Sequence, residues 1–291
     1  MRPLSTLAAV GALGMGALGW ALREAQALVI ETIRVPLATA SALDGMTVLH
    51  LTDLHAESPR TWSVGALRQL ERLEPDLVLV TGDVITQPPG LRPATRALVA
   101  LRARLGTFVV LGNHDHYHGT LGQRVSGKIG RFSHPEAVLG VFREEGLNTL
   151  RNSSVRVETE RGPVQLVGTD DPYFGMADLN QAYAAVDSTE PVLLLAHSPD
   201  AARLVGERRC DLMLSGHTHG GQILFPGGLI RGMTNTALRL PSTYGLMVIE
   251  GVPTHVSAGV GTANLPLRFN CPPRATLLEF VGPGRAPEAL A

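Results

Sequence analysis

Cysteine is scarce in this 291-residue chain: Cys210 and Cys271 are the only two, far apart and outside any CxxC spacing. That pattern excludes a zinc ribbon or a thioredoxin-like site. A single bridge between them stays open, and two buried thiols are the simpler expectation. An excess of charge of one sign is also missing, since 25 Lys and Arg stand against 26 Asp and Glu. The balance gives no global electrostatic reason to expect a nucleic-acid partner. No internal repeat, low-complexity tract or Pro/Ser linker divides the chain. What is present, 44% hydrophobic and 18% charged residues, describes a chain that buries a core, as one large α/β domain or two small ones.

Charge is absent altogether from Pro3 to Leu22, a run of Leu, Ala, Gly and Val. Roughly 20 apolar residues is what a helix needs to cross a bilayer, and the run exceeds the apolar core of a cleaved signal. An N-terminal membrane helix over residues 1–26 is therefore expected. Ala25-Gln26-Ala27 is an A-x-A pattern, so cleavage after Ala27 and secretion is the alternative. Gly11, Gly14, Gly16 and Gly19 suit a membrane helix. Arg2 on the near side, against Arg23 offset by Glu24, places the N-terminus in the cytoplasm and the bulk of the chain outside; the bulk of the chain on the cytoplasmic face is the other option.

Residues 27–46 read as a linker and first strand. From there short apolar runs, the signature of strands buried on both faces, each end in a polar motif. Thr47–Thr52 ends at Asp53, Leu77–Thr81 at Gly82-Asp83, Phe108–Leu111 at Gly112-Asn113-His114, Val192–Ala196 at His197, and Leu212–Ser215 at Gly216-His217. Helical patterns lie between them: Val64, Leu67, Leu70 and Leu73 at helix spacing, Pro93 to Leu105, and a helix that Ser133 and Glu136 cap and Gly146 stops. Alternating strands and helices predict an α/β fold. The stretches 148–167 and 244–281 lack helical period and are expected to form a second sheet.

Strand C-termini in an open α/β sheet line the crevice where ligands bind. Asp and His in a single turn are ordinary, but five such strand ends together are not. Carboxylate, imidazole and amide oxygen without thiolate suit Mn, Fe or Zn. Asp53-Leu54-His55 supplies two ligands at i and i+2, and His217-Thr218-His219 repeats that geometry. Asp83 stands alone, which fits a carboxylate shared by two ions. Two ions ~3.5–4 Å apart hold a hydroxide and clamp a phosphoryl oxygen for in-line displacement.

These ordered motifs, Asp53-Leu54-His55, Gly82-Asp83, Gly112-Asn113-His114-Asp115, Ala196-His197 and Gly216-His217-Thr218-His219, resemble those of calcineurin-like metallophosphoesterases over residues 47–281. The resemblance implies a two-sheet β-sandwich flanked by helices, with a flexible tail at 282–291. It implies one divalent ion on Asp53, His55, Asp83 and His219, and a second on Asp83, Asn113, His197 and His217, with manganese favoured. His114 would contact phosphate and protonate the leaving oxygen, and Asp115 would orient its ring. The extension Gly220-Gly221-Gln222 and the segments Gly259–Thr262 and Pro266–Phe269 are similar to the YkuE-like, membrane-associated branch, which includes a UDP-2,3-diacylglucosamine pyrophosphatase. The chain departs from that branch in having only Arg2 where some members carry a twin-arginine signal, and Arg274 where an acid is expected.

The expected activity is hydrolysis of a phosphodiester or pyrophosphate in a lipid-linked or membrane-proximal substrate. The alternatives are a general phosphodiesterase on soluble phosphorylated small molecules and a metal-binding scaffold without catalysis. Arg268 and His116 are candidate substrate contacts. His50, His134 and His255 read as structural. The basic stretch from Gln123 to Arg131 reads as a solvated loop, or as a flap over the site.

Overall fold

A computed structural model describes residues 3–38, 41–118, 122, 131–132, 134–224, 236–238 and 240–283. The flap expectation at 123–130, Ser133 and the tail beyond 283 fall outside them.

The apolar runs do become strands. They are β1 Val29–Pro36, β2 Thr47–Leu51, β3 Leu77–Thr81, β4 Thr107–Val110, β5 Tyr117–His118, β6 Arg131–Phe132, β7 Asn148–Thr149, β8 Ser153–Thr159, β9 Gly162–Gly168, β10 Val192–Leu195, β11 Leu212–Ser215, β12 Gly245–Ile249, β13 Val252–Val256 and β14 Arg274–Val281. One six-stranded sheet has the order β1-β14-β2-β3-β4-β7, the other β12-β13-β11-β10-β9-β8, with β5-β6 a separate ribbon. The inner strands β2-β3-β4-β7 and β9-β10-β11-β13 are parallel. All their functional ends therefore fall at one edge of the sandwich.

Alternation along β2, β3, β10 and β11 explains the layering. Val48, Leu77, Leu79, Leu193, Leu195, Leu212 and Leu214 meet between the sheets. Leu49, Leu51, Val78 and Val80 face the other way, against Leu67, Leu70, Leu98 and Phe142. Val192, Leu194 and Met213 pack on Ala182, Ala202 and Val205. A sheet covered on both faces must be apolar on both, and β3 is buried at every residue.

Three local expectations change. The region 244–281 does not lie wholly in the second sheet, because β14 returns to the first, antiparallel to β2 and parallel to β1. The segment 27–46 consequently contributes an edge strand of the main sheet. The helix Pro135–Glu145 starts with Pro135 behind His134, which makes no side-chain cap, and ends at Gly146 with φ 104°. The helix expected over 93–105 runs Leu91–Val99.

The N-terminal run is helical, Pro3–Glu24. Among the described residues no helix is long and apolar enough to cross a membrane. Its last turn is tied to the sandwich. The buried Glu24 carboxylate accepts the N–H groups of Cys271 at 2.6 Å and Asn270 at 3.1 Å, and the Ala21 carbonyl accepts that of Arg268. Arg274, where an acid was expected, pairs with Glu31 and stacks on Tyr244. Both cysteines are free.

Candidate metal centre

The strand ends bring Asp53, His55, Asp83, Asn113, His197, His217 and His219 to one place, all of them buried. The turns that do so are strained. Asp53, His55, Asp83, His217 and His219 all have positive φ, between 48° and 66°, a conformation that costs an L-residue energy and clusters at functional sites. Close packing by glycine makes room. A Cβ on Gly112 would strike Asp83 and lie 2.9 Å from the His197 ring, and one on Gly216 would strike Thr52 and Asp53.

Each carboxylate uses one oxygen to hold the loops and turns the other inward. Asp53 Oδ2 accepts the N–H of His217 and the hydroxyl of Thr52, while the buried Oδ1 has no hydrogen-bond partner. Oδ1 lies 3.1 Å from His219 Nε2 and 3.8 Å from His55 Nε2. Asp83 Oδ1 accepts the N–H of His114, and Oδ2 stands 3.5 Å from His55 Nε2 and 3.3 Å from His197 Nε2. His55 and His219 approach to 3.0 Å, nitrogen to nitrogen. On the other side Asn113 Oδ1 is 3.1 Å from His197 Nε2 and 3.0 Å from His217 Nδ1. Lone pairs that converge this closely repel one another unless a proton or a cation lies between them. Ligands about 2.1 Å from a tetrahedral or octahedral ion are separated by roughly 3.0–3.4 Å, which most of these distances match, those of His55 to the two carboxylates being longer at 3.5 and 3.8 Å. The residues thus fit two cations, with Asp83 Oδ2 between the two clusters.

The outer hydrogen bonds also suit metal binding. His197 Nδ1 lies 2.7 Å from the Thr81 carbonyl, which can only accept, so the proton sits on Nδ1 and Nε2 keeps its lone pair for the centre. His55 Nδ1 contacts the Thr86 hydroxyl at 2.9 Å. Burial alone would raise Asp53, but His219 and His55 beside it hold the carboxyl well below its ordinary range. Burial would lower His197, but Asp83 outweighs it and lifts the imidazole to about 10.

His114 stands against this cluster. Its ring meets His55 edge-on at 4.7 Å, and one of its nitrogens joins a His55 nitrogen and an Asp83 carboxylate oxygen in one ligand-sized group. Its Nδ1 is buried without a hydrogen-bond partner, and burial lowers its pKa to about 3. Asp115 does not orient this ring. Its oxygens accept the N–H groups of Ile85 and Gly112 and so clamp the two loops together. Burial, and then Asp83, raise its pKa to about 7.

The two expected substrate contacts are engaged elsewhere. His116 Nε2 bonds Asp170 at 2.7 Å, and Asp170 in turn binds Arg151. Arg268 is fully buried, and its guanidinium donates to the carbonyls of His219, Ala258, Gly259, Gly261 and Cys271. It braces the loops behind the cradle and leaves no N–H for a phosphate. His50 and His255 bond each other at 2.8 Å in the core, as structural residues would. Sequence reasoning missed an aromatic rim: Tyr117 lies 4.8 Å from the His114 ring, Phe174 5.8 Å from Tyr117, and Tyr173 5.2 Å from His217. The adjoining Asp170-Asp171 pair after β9 was its available signal.

A sandwich of two mixed sheets, whose parallel inner strands end in a converging His/Asp/Asn cradle, defines a metal-dependent hydrolase class. A sequence model of the calcineurin-like phosphoesterase family matches residues 46–221. The chain is 30% identical over 239 residues to an uncharacterised metallophosphoesterase, YkoQ, of Bacillus subtilis, covering 81% of this chain and 83% of that one. It is 29% identical over 238 residues to the phosphodiesterase YaeI of Escherichia coli, covering 80% and 82%. It is also 29% identical over 266 residues to a transmembrane protein with a metallophosphoesterase domain from Danio rerio, covering 85% of this chain but 56% of the relative. The chain belongs to the calcineurin-like phosphoesterase family and is a phosphoester hydrolase that uses divalent metal.

Proposed function

We propose that the protein hydrolyses a phosphodiester or pyrophosphate bond at a dinuclear centre, in an amphiphilic substrate that it meets at a membrane surface. The observation that carries the reading is Asp83 Oδ2, set between His55 and His197 at 3.5 and 3.3 Å. One ion would rest on Asp53, His55, Asp83 and His219, the other on Asp83, Asn113, His197 and His217, with manganese as the first candidate and iron or zinc as alternatives. Such ions would polarise a phosphoryl oxygen and supply the nucleophile at neutral pH. The protein's own part is to hold the phosphorus in line. Asp115 fixes the loop that carries His114, and the Thr81 carbonyl fixes the His197 tautomer.

His114 would donate a proton to the departing oxygen, since an alkoxide leaves poorly without one. Burial keeps it neutral in the free protein; the negative charge of an arriving phosphate favours the imidazolium. The membrane half of the proposal rests on the Pro3–Glu24 helix, with Met15, Leu18, Trp20 and Leu22 exposed, and on the relative named as transmembrane. The helix would hold the hydrolase at the bilayer, with the catalytic domain outside the cytoplasm. A second reading is a general phosphodiesterase on soluble esters; the relative named as a phosphodiesterase supports diester chemistry under either reading.

The test is a screen of the manganese-loaded full chain against nucleotide-linked lipids, phospholipids and soluble diesters, with His114→Ala as the blank. Hydrolysis of lipid phosphates above soluble diesters is expected. Efficient turnover of soluble diesters alone sinks the membrane half, and equal activity in the His114→Ala blank sinks the proton donor.

A further inference from the structure

A groove of 410 Å³ opens directly beside His55, and it does not end at the metal centre. Its lining includes Leu54, His55, Trp62, Gly261, Thr262 and Leu265, together with Ala25 and Gln26 just past the N-terminal helix. His55 is thus shared by the cradle and the groove. A group bonded to a phosphorus held at the cradle would extend into this space. Its volume falls within the roughly 300–1,000 Å³ usual for small-molecule pockets.

Three of the hydroxyls that line it are engaged with nearby backbone. Ser63 Oγ donates to the Leu54 carbonyl, Thr61 Oγ1 accepts the N–H groups of Glu57 and Ser58, and Ser58 Oγ accepts that of Arg60. Glu57, Thr262 and Asn264 add polar atoms to the lining, beside the apolar side chains of Leu54, Trp62, Leu265 and Pro266. Beyond Gln26 the helix continues the pattern. Met15, Leu18 and Leu22 recur at spacings of three and four and so share one face of the helix, which ends at Glu24, two residues before the groove-lining Gln26. All three are exposed, Met15 at 71%, Leu18 at 51% and Leu22 at 42%. An exposed apolar helix face that ends two residues short of a groove bordering His55 suits the approach of a hydrocarbon chain. The larger depression of 1040 Å³ by β7 and β8 offers no such path. Its charged groups Glu136, Arg143, Arg151 and Asp170 are already paired, and it touches none of the cradle.

We infer that the groove between His55, Trp62 and Leu265 receives the alkyl or acyl group of the phosphoester, delivered along the Met15–Leu18–Leu22 face. This rests on the phosphoesterase reading and adds its specificity element. A fully buried methylene contributes roughly fourfold to binding, so chain length is the natural probe.

The full chain, loaded with Mn²⁺, is assayed on 4-nitrophenyl alkyl phosphodiesters from methyl to octyl, below their aggregation concentrations. The octyl ester should exceed the methyl ester in kcat/KM by at least about tenfold. Thr262→Trp, which fills the groove, and Leu265→Glu, which charges its rim, should each bring that ratio to within about twofold of unity. A flat ratio in the parent protein, or an undiminished ratio in both variants, overturns the inference. Binding is read separately in a Trp20→Phe background, where Trp62 is the one remaining tryptophan. Octylphosphonate should shift its emission and methylphosphonate should not. If no alkyl diester is hydrolysed, the diester half of the proposed function has failed, and the Trp62 titration still decides the groove: a shift with octylphosphonate alone upholds it, and no shift overturns it.

Discussion

Asp83 acts through its two oxygens, one on the His114 amide and one between His55 and His197. Asp83→Asn keeps the shape but loses the shared charge. Bound metal should fall from two ions per chain toward one, with activity down at least roughly 100-fold, as measured by elemental analysis and turnover on one sample. Two ions retained at full activity would refute the bridging role. Thr86→Val removes the hydroxyl at His55 Nδ1 and should weaken metal affinity by roughly 10–100-fold, readable in a chelator competition. His114→Ala should leave metal content unchanged and lower kcat by about 10²–10⁴, more for alkyl than for nitrophenyl leaving groups. An equal loss on both would rule out proton donation. At this scale the convergence of the cradle residues was legible, because their motifs each follow an apolar run that becomes a strand. The partners of Asp115 and Arg268 were not, since Ile85 and the 258–261 carbonyls reach them only through the packing of distant loops.

The loops at the strand ends are held apart by distances that only glycine allows. Gly112→Ala would push a methyl into Asp83 and the His197 ring, at a cost of about 1–3 kcal/mol. Metal binding should suffer with it, and a denaturation midpoint with and without Mn²⁺ would separate the two losses. Strands β2, β3, β4, β10 and β11 were readable from continuous apolar runs. The place of β14 was not: antiparallel insertion beside β2 depends on which edge is vacant, and no local pattern encodes that. The helix that stops at Val99 rather than at Gly106 shows the same limit, since good helix formers still yield to a chain that must turn back into β4.

Across the molecule, acid sensitivity should trace in part to the core pair His50 and His255. Burial lowers the His255 pKa to about 3, whereas an unfolded histidine titrates near 6.5. The unfolded chain therefore takes up a proton below about pH 6.5 that the folded chain refuses until about pH 3. The stability from a neutral His255 is fully present above pH 6.5 and is lost as the pH falls between those values. His255→Asn cannot titrate there, and its unfolding midpoint should change less between pH 7 and pH 5 than that of the parent. An identical slope would assign the acid limb to other groups. The pairing of a strand-β2 residue with one on β13, across the two sheets, is not visible until the sandwich is assembled.

The left-handed backbone at Asp53, His55, Asp83, His217 and His219 also dictates how this protein should be probed. Alanine at these five positions removes a donor atom and penalises the main chain together, so an alanine scan would overstate what ligation contributes. Asparagine tolerates this backbone region far better and presents a side-chain oxygen of similar reach to aspartate. A parallel asparagine series, scored against alanine, would measure how much of the cradle's sensitivity belongs to the ions and how much to the curvature that presents them.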